Sequence, residues 1–120
     1  MKVIIAGSNS ISDENLLLQA IEKSSFKITE LVCGMANNVD RMAYRWAKRK
    51  KIPIKEFWPQ WKKYGKKAGP IRNKAMTQYA DALIAIWRTG SQGTWNMIRN
   101  AFNTRIDFYI LRVKNEQNKN

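Results

Sequence analysis

Two runs, Lys2-Val-Ile-Ile-Ala6 before Gly7 and Ala82-Leu-Ile-Ala-Ile-Trp87 shortly before Gly90, point to a parallel sheet. Each is a short apolar run bounded by a turn residue, as expected of a strand covered on both faces. Ile28 to Cys33, Ile52 to Phe57 and Arg105 to Val113 read as three further strands. Pro53 sits at the start of the third, where a missing ladder donor is tolerated.

Helical patterns fill the intervals. Ser12 opens the first, with Asp13 and Glu14 in its first turn and Leu17, Leu18 and Ile21 on adjoining faces, ending near Ser24-Ser25. In the second, Val39, Met42, Ala43, Trp46 and Ala47 form an apolar stripe opposite Arg41, Arg45, Lys48 and Arg49. Trp58 to Ala68 reads as a long loop, after which Gly69-Pro70 starts a helix with Ile71, Ala75 and Tyr79 as its inner stripe. Met97, Ile98, Ala101 and Phe102 mark the inner face of the last helix. Strands alternating with helices at this spacing predict one Rossmann-like α/β three-layer sandwich, a mostly parallel five-stranded sheet with helices on both faces. The domain is expected over residues 1–113, with a polar tail at 114–120.

Composition narrows the chemistry. A chain of 120 residues, 44 % hydrophobic and with five Trp, has the means to bury a core in a single domain. Histidine is absent, which excludes a His proton shuttle, a Ser-His-Asp triad and the common zinc sites, so no metal is expected. The single cysteine, Cys33, forms no internal disulfide and reads as an inert buried hydrophobe. Neither a signal peptide nor a membrane span is visible, so the expected location is cytoplasmic and no membrane partner is expected. Between Arg41 and Lys74 there are thirteen Lys or Arg against Glu56 alone, which places +12 of the formal +13 in that span. The expected partner is polyanionic.

In open parallel sheets ligands bind beyond the carboxyl ends of the strands, near the point where strand order reverses. Four segments fall at that edge: Gly7-Ser8-Asn9-Ser10, Gly34-Met35-Ala36-Asn37-Asn38, Gly69-Pro70-Ile71-Arg72-Asn73 and Ser91-Gln92-Gly93-Thr94. The first, second and fourth join a strand to a helix and so aim backbone N–H groups at an anion. Asp40 has two readings, a cap for a helix beginning at Arg41 or a carboxylate at the ligand. Trp58, Trp61 and Tyr64, interleaved with Lys62, Lys63, Lys66 and Lys67, either stack on nucleobases or cover the sheet edge.

The blocks Ala6-Gly7-Ser8, Gly34-x-Ala36-x-x-Val39-Asp40-x-x-Ala43-x-x-Trp46-Ala47, Trp61-x-x-Tyr64-Gly65-x-x-Ala68-Gly69-Pro70-Ile71-Arg72-Asn73-x-x-Met76, Ala80-Asp81-Ala82-Leu83-Ile84-Ala85 and Gly93-Thr94 resemble the YspA-like, YpsA-related branch of the SLOG superfamily. The Gly-Pro-x-Arg-Asn-x-x-Met element is the most specific of them. That superfamily includes LOG phosphoribohydrolases, DprA-like DNA-processing proteins and domains proposed to sense nucleotide-derived ligands. The resemblance implies a Rossmann-like sandwich that binds an NAD, ADP-ribose or cyclic-nucleotide type of ligand, with no tightly bound cofactor. It places Gly7, Ser8, Asn9, Gly34, Asn37, Asn38, Asp40, Arg72, Asn73, Ser91, Gly93 and Thr94 at the site.

Relatives usually read Gly-Ser-Arg in the first loop and Gly-Gly-Ala-Arg-Gly-x-Asp in the second; here Asn9, Met35, Asn37 and Asn38 replace Arg, Gly, Arg and Gly. Asn38 is expected to take the left-handed turn in place of glycine. Met97 stands where the phosphoribohydrolases carry their glutamate, and a thioether is no general base, which argues against that hydrolysis. Asp40 is then the one weak catalytic candidate. The alternative reading is a basic nucleic-acid binder, with Arg45, Lys48, Arg49, Lys62, Lys63, Lys66 and Lys67 as its surface. A further alternative is a small counter-defence protein that grips an acidic protein. A homo-oligomer is also expected.

Overall fold

The computed structural model describes residues 1–114. Five strands, β1 (Lys2–Gly7), β2 (Glu30–Cys33), β3 (Ile54–Glu56), β4 (Ala82–Arg88) and β5 (Asp107–Val113), form one sheet in the order β3-β2-β1-β4-β5. Every pairing is parallel, so the sheet is wholly rather than mostly parallel. Each connection is a helical crossover, which returns the chain to run in the same direction. Helices α1 (Glu14–Ser24) and α2 (Asn38–Lys50) cover one face, packing Leu17, Ala20, Val39, Ala43 and Trp46 on Val3, Ile5, Leu31, Ile84 and Ile86. Helices α4 (Ala68–Tyr79) and α5 (Gln92–Thr104) cover the other, packing Met76, Ala80, Met97 and Ile98 on Ile4, Ala6, Val32 and Leu83. Alternate residues of one strand thus feed opposite cores.

Several expectations require correction. The first helix is capped by Asp13, whose side chain accepts the Asn15 N–H at 2.9 Å, and not opened by Ser12. The expected loop after β3 contains a helical turn, α3 (Trp61–Tyr64), and a 3₁₀ turn at Gly65–Lys67, and α4 begins at Ala68. The stripe Ile71, Ala75, Tyr79 is not the inner face of α4; Asn73, Met76 and Thr77 are buried while Ile71 is exposed. Counting apolar residues alone misplaces that face, because two of its inward side chains are polar and hydrogen-bonded. Phe102 likewise lies outside the core, 69 % exposed, while Met97, Ile98 and Ala101 face inward as expected. Among the described residues no helix is long and apolar enough to cross a membrane. Of the expected tail, residues 115–120 lie outside the described residues.

The chain runs from β1 outward to β2 and β3, then crosses under the sheet to β4 and β5, so strand order reverses between β1 and β4. Gly7 is the last residue of β1 at this junction, paired with Ile86. A Cβ there would stand 2.6 Å from the Ile86 carbonyl oxygen and 2.7 Å from Val39 Cγ2. Only glycine lets β1, β4 and α2 meet so closely. Gly7→Ala is therefore expected to cost about 3 kcal/mol in urea unfolding, the range of core overpacking.

Candidate functional site

Gly7 at the end of β1 and Asn9 beyond it, Gly34, Ala36 and Asn37 beyond β2, the first turns of α4, and Ser91 to Thr94 beyond β4 surround one cleft of about 690 Å³ at the strand-order reversal. Asp40, Arg72 and Asn73 line it, as do Trp61, Lys66, Trp95, Asn96, Met97 and Arg99. Of the residues expected at the site, Ser8 and Asn38 do not line the cleft. Ser8 is buried, its N–H donating to the Ile86 carbonyl at 3.0 Å and its Oγ accepting the Arg88 N–H at 2.9 Å. It clamps β1 to β4.

The first two loops are joined by asparagines. Asn37 Nδ2 donates to the Gly7 carbonyl at 2.9 Å, and Asn38 Nδ2 donates to the Asn9 carbonyl at 2.8 Å. The left-handed residue of the second loop is Met35, at φ 57°, and not Asn38, which already belongs to α2. Met35 rests partly buried against the α2-side core. Asp40 does not cap a helix starting at Arg41. The helix starts at Asn38 with Asn37 as its cap, and Asp40 completes a capping box as the third helical residue. Its Oδ2 accepts the N–H groups of Ala36 and Asn37 at 2.8 and 3.1 Å, while Asn37 Oδ1 accepts the Asp40 N–H at 3.1 Å. Burial raises the Asp40 pKa above its ordinary value, against the pull of these bonds and of Arg72.

Arg72 spans from α4 to β2. Its Nη1 donates to the Gly34 carbonyl and its Nε to Asn73 Oδ1 at 3.0 Å. Asn73 Nδ2 continues to Asn96 Oδ1 at 3.0 Å and, more weakly, to the Gly93 carbonyl at 3.4 Å. Asn100 Nδ2 closes the chain on the Asn96 carbonyl at 2.9 Å. Burial lowers the Arg72 pKa and the neighbouring Asp40 raises it again. A relay of polar side chains therefore fixes α4 and α5 relative to the end of β2.

The helix N-termini at the cleft differ. That of α4 continues the preceding 3₁₀ turn, its Ala68 N–H donating to the Gly65 carbonyl. That of α2 carries a capping box that engages the Asn37 and Asp40 N–H groups, and its Asn38 N–H donates to Asn9 Oδ1 at 3.3 Å. That of α5 has no side-chain cap; Ser91 Oγ donates instead to Thr94 Oγ1 at 3.0 Å. The first-turn N–H groups of an uncapped helix lack intrahelical acceptors and carry the positive end of the dipole. Half-exposed indoles flank the opening. Trp61 overlies Gly69, and Trp95 stacks on Trp87 with ring centroids 5.5 Å apart.

The family model for YspA, cpYpsA-related SLOG proteins matches residues 1–64. This chain belongs to that family. The matched span takes in β1 to α3 and both asparagine-joined loops of the SLOG domain, and ends before α4. No curated protein and no solved structure matches the chain.

Sequence reading missed Trp95, Asn96 and Arg99 of this SLOG protein. Trp95 and Arg99 are four residues apart on one helix face, a spacing that points both to the same side once the loop before α5 is known to line the cleft. Of the seven basic residues expected to meet a polyanion, only Lys66 lines the cleft. Arg45, Lys48 and Arg49 lie exposed on α2, where Arg49 pairs with Glu14, and Lys62, Lys63 and Lys67 lie exposed around α3.

Two outcomes test this geometry. A Cβ on Gly34 would stand 2.8 Å from Arg72 Nη1, so Gly34→Ala displaces the guanidinium and is expected to cost about 1–3 kcal/mol by urea unfolding. In an Arg72→Ala background that cost falls, a coupling of about 1 kcal/mol or more in a double-mutant cycle. Cys33 is buried, its Sγ donates to the Asp40 carbonyl, and burial pushes its pKa up to about 12. The thiolate is thus disfavoured at every pH below that value, and alkylation by iodoacetamide near pH 8 should be slow in the native protein and fast in urea.

Proposed function

We propose that this SLOG domain captures a phosphorylated, nucleotide-derived small molecule, of the NAD, ADP-ribose or cyclic-nucleotide type, in the cleft at the strand-order reversal. The observation that carries the reading is the uncapped first turn of α5 opening onto a cleft whose charged lining is Lys66, Arg72 and Arg99 against Asp40 alone. A phosphate on the Gln92, Gly93 and Thr94 amides meets the helix dipole and unpaired donors together. A planar base fits the half-exposed indoles of Trp61 and Trp95. The volume suits a ligand of this size.

The reading is capture and not cleavage. Asp40, the lone carboxylate of the lining, has Oδ2 engaged by two backbone N–H groups, and Met97 offers an apolar thioether at the glutamate position. Most of the polar residues around the cleft hold one another; Asn37, Asn73 and Thr94 act as struts, leaving Arg72 Nη2 and the α5 amides to face a ligand.

Gly93 gives a clean test, since nothing lies within 4 Å of a Cβ built on it. Gly93→Asp therefore fits, places a carboxylate where the helix dipole favours it, and should leave Tm unchanged or raised. Isothermal titration with ADP-ribose, NAD and cyclic mononucleotides is expected to show binding by at least one, weakened about tenfold or more in Gly93→Asp. Absence of binding across the panel, or equal affinity in the variant, refutes the reading.

A further inference from the structure

The segment from Trp58 to Lys67 has little structural work in the core. No residue of α3 or of the 3₁₀ turn after it is buried. Trp58 is 59 % and Trp61 57 % exposed, so these rings do not seal the sheet edge, which was one of the two readings open from sequence. Exposed indoles carry a solvation cost with no folding return, and ordering the segment costs backbone entropy. Lys62, Lys63 and Lys67 stand exposed beside them. Among the described residues the only ion pair within 4 Å is Arg49 with Glu14, so these lysines have no internal counter-ion.

Glu56 is the sole acid from Arg41 to Lys74, and its Oε1 accepts the Trp58 indole N–H at 3.0 Å. The one negative charge of the region thus orients an aromatic ring. Lys63 Nζ lies 5.1 Å from the Tyr64 ring centroid, which alternates cation and ring along the turn. From these observations we infer that the exposed segment carrying Trp58, Lys62, Lys63, Tyr64 and Lys67 binds single-stranded nucleic acid, its lysines on phosphates and its rings on unpaired bases. A duplex hides its bases from such rings, and α3, at four residues, is too short to lie in a major groove. An acidic polypeptide satisfies the lysines and leaves the rings unused. Trp61 and Lys66 of this segment line the cleft, but Trp58, Lys62, Lys63, Tyr64 and Lys67 do not, so variants at these five probe this surface without removing a cleft residue.

Fluorescence anisotropy with a labelled oligodeoxythymidine of about 16 nucleotides tests it, beside the matching duplex and polyglutamate. The expected result is tightest binding to the single strand, weakening steeply between about 50 and 200 mM salt. Combined Lys62→Gln, Lys63→Gln and Lys67→Gln should reduce the log–log salt slope by about 2. Trp58→Ala and Tyr64→Ala should each weaken binding about tenfold, with Trp58→Phe restoring most of it and Tm unchanged throughout. The same lysine variant should titrate with cleft ligands as wild type does, so the two readings stand or fall separately. No binding to the single strand overturns the inference, as does equal affinity for duplex or polyglutamate, or affinity indifferent to Trp58→Ala.

Discussion

The site depends on a half-buried guanidinium. Arg72 enters from the first turns of α4 and donates to the carbonyl of Gly34, at the end of β2, on the far side of the strand-order reversal. The absence of a side chain on Gly34 makes room for it. A charged donor taken from water needs its hydrogen bonds met, and here the carbonyl, Asn73 and the Asp40 carboxylate nearby share that task. Through Asn73 and Asn96 the same relay reaches α5. Three loops from three strands are thereby held at fixed separation, and the cleft is the space they leave.

That framework leaves the α2 and α5 N-termini in opposite electrostatic states. Asn37 and Asp40 satisfy α2 from within, and the carboxylate neutralises the positive end of its dipole. The α5 terminus, by contrast, has Ser91 and Thr94 bonded to each other and its first amides left to the cleft. The proposed capture of a phosphate rests on the second of these ends, while the asparagines join the first two loops to each other. Asp40, the catalytic candidate from sequence, is in this arrangement a loop strut whose burial raises its pKa.

Much of the fold was legible because buried parallel strands write themselves as unbroken apolar runs, and β1 and β4 are plain examples. The carboxyl-edge rule then brought Gly7, Gly34, Arg72 and Gly93 together before any coordinates. Periodicity failed where burial was polar: Asn73 and Thr77 face inward on α4, and an apolar stripe drawn through Ile71 and Ala75 points to solvent. Met35 held the left-handed backbone expected of Asn38, because Asn38 was already drawn into α2. Trp95, Asn96 and Arg99 were invisible for another reason. Their place in the cleft follows from the direction in which α5 leaves β4, which local sequence does not encode.

Amide chemical shifts report whether the α2 terminus is closed and the α5 terminus open to a ligand. In a ¹H–¹⁵N titration of the ¹⁵N-labelled protein with ADP-ribose, the Gln92, Gly93 and Thr94 amides should move most, with the Trp61 and Trp95 indole signals following. The Ala36, Asn37 and Asp40 amides, already bonded within the capping box, should move little. Shifts centred on those three amides, with Gln92 to Thr94 unmoved, would place the ligand at the α2 terminus and rule out capture by α5.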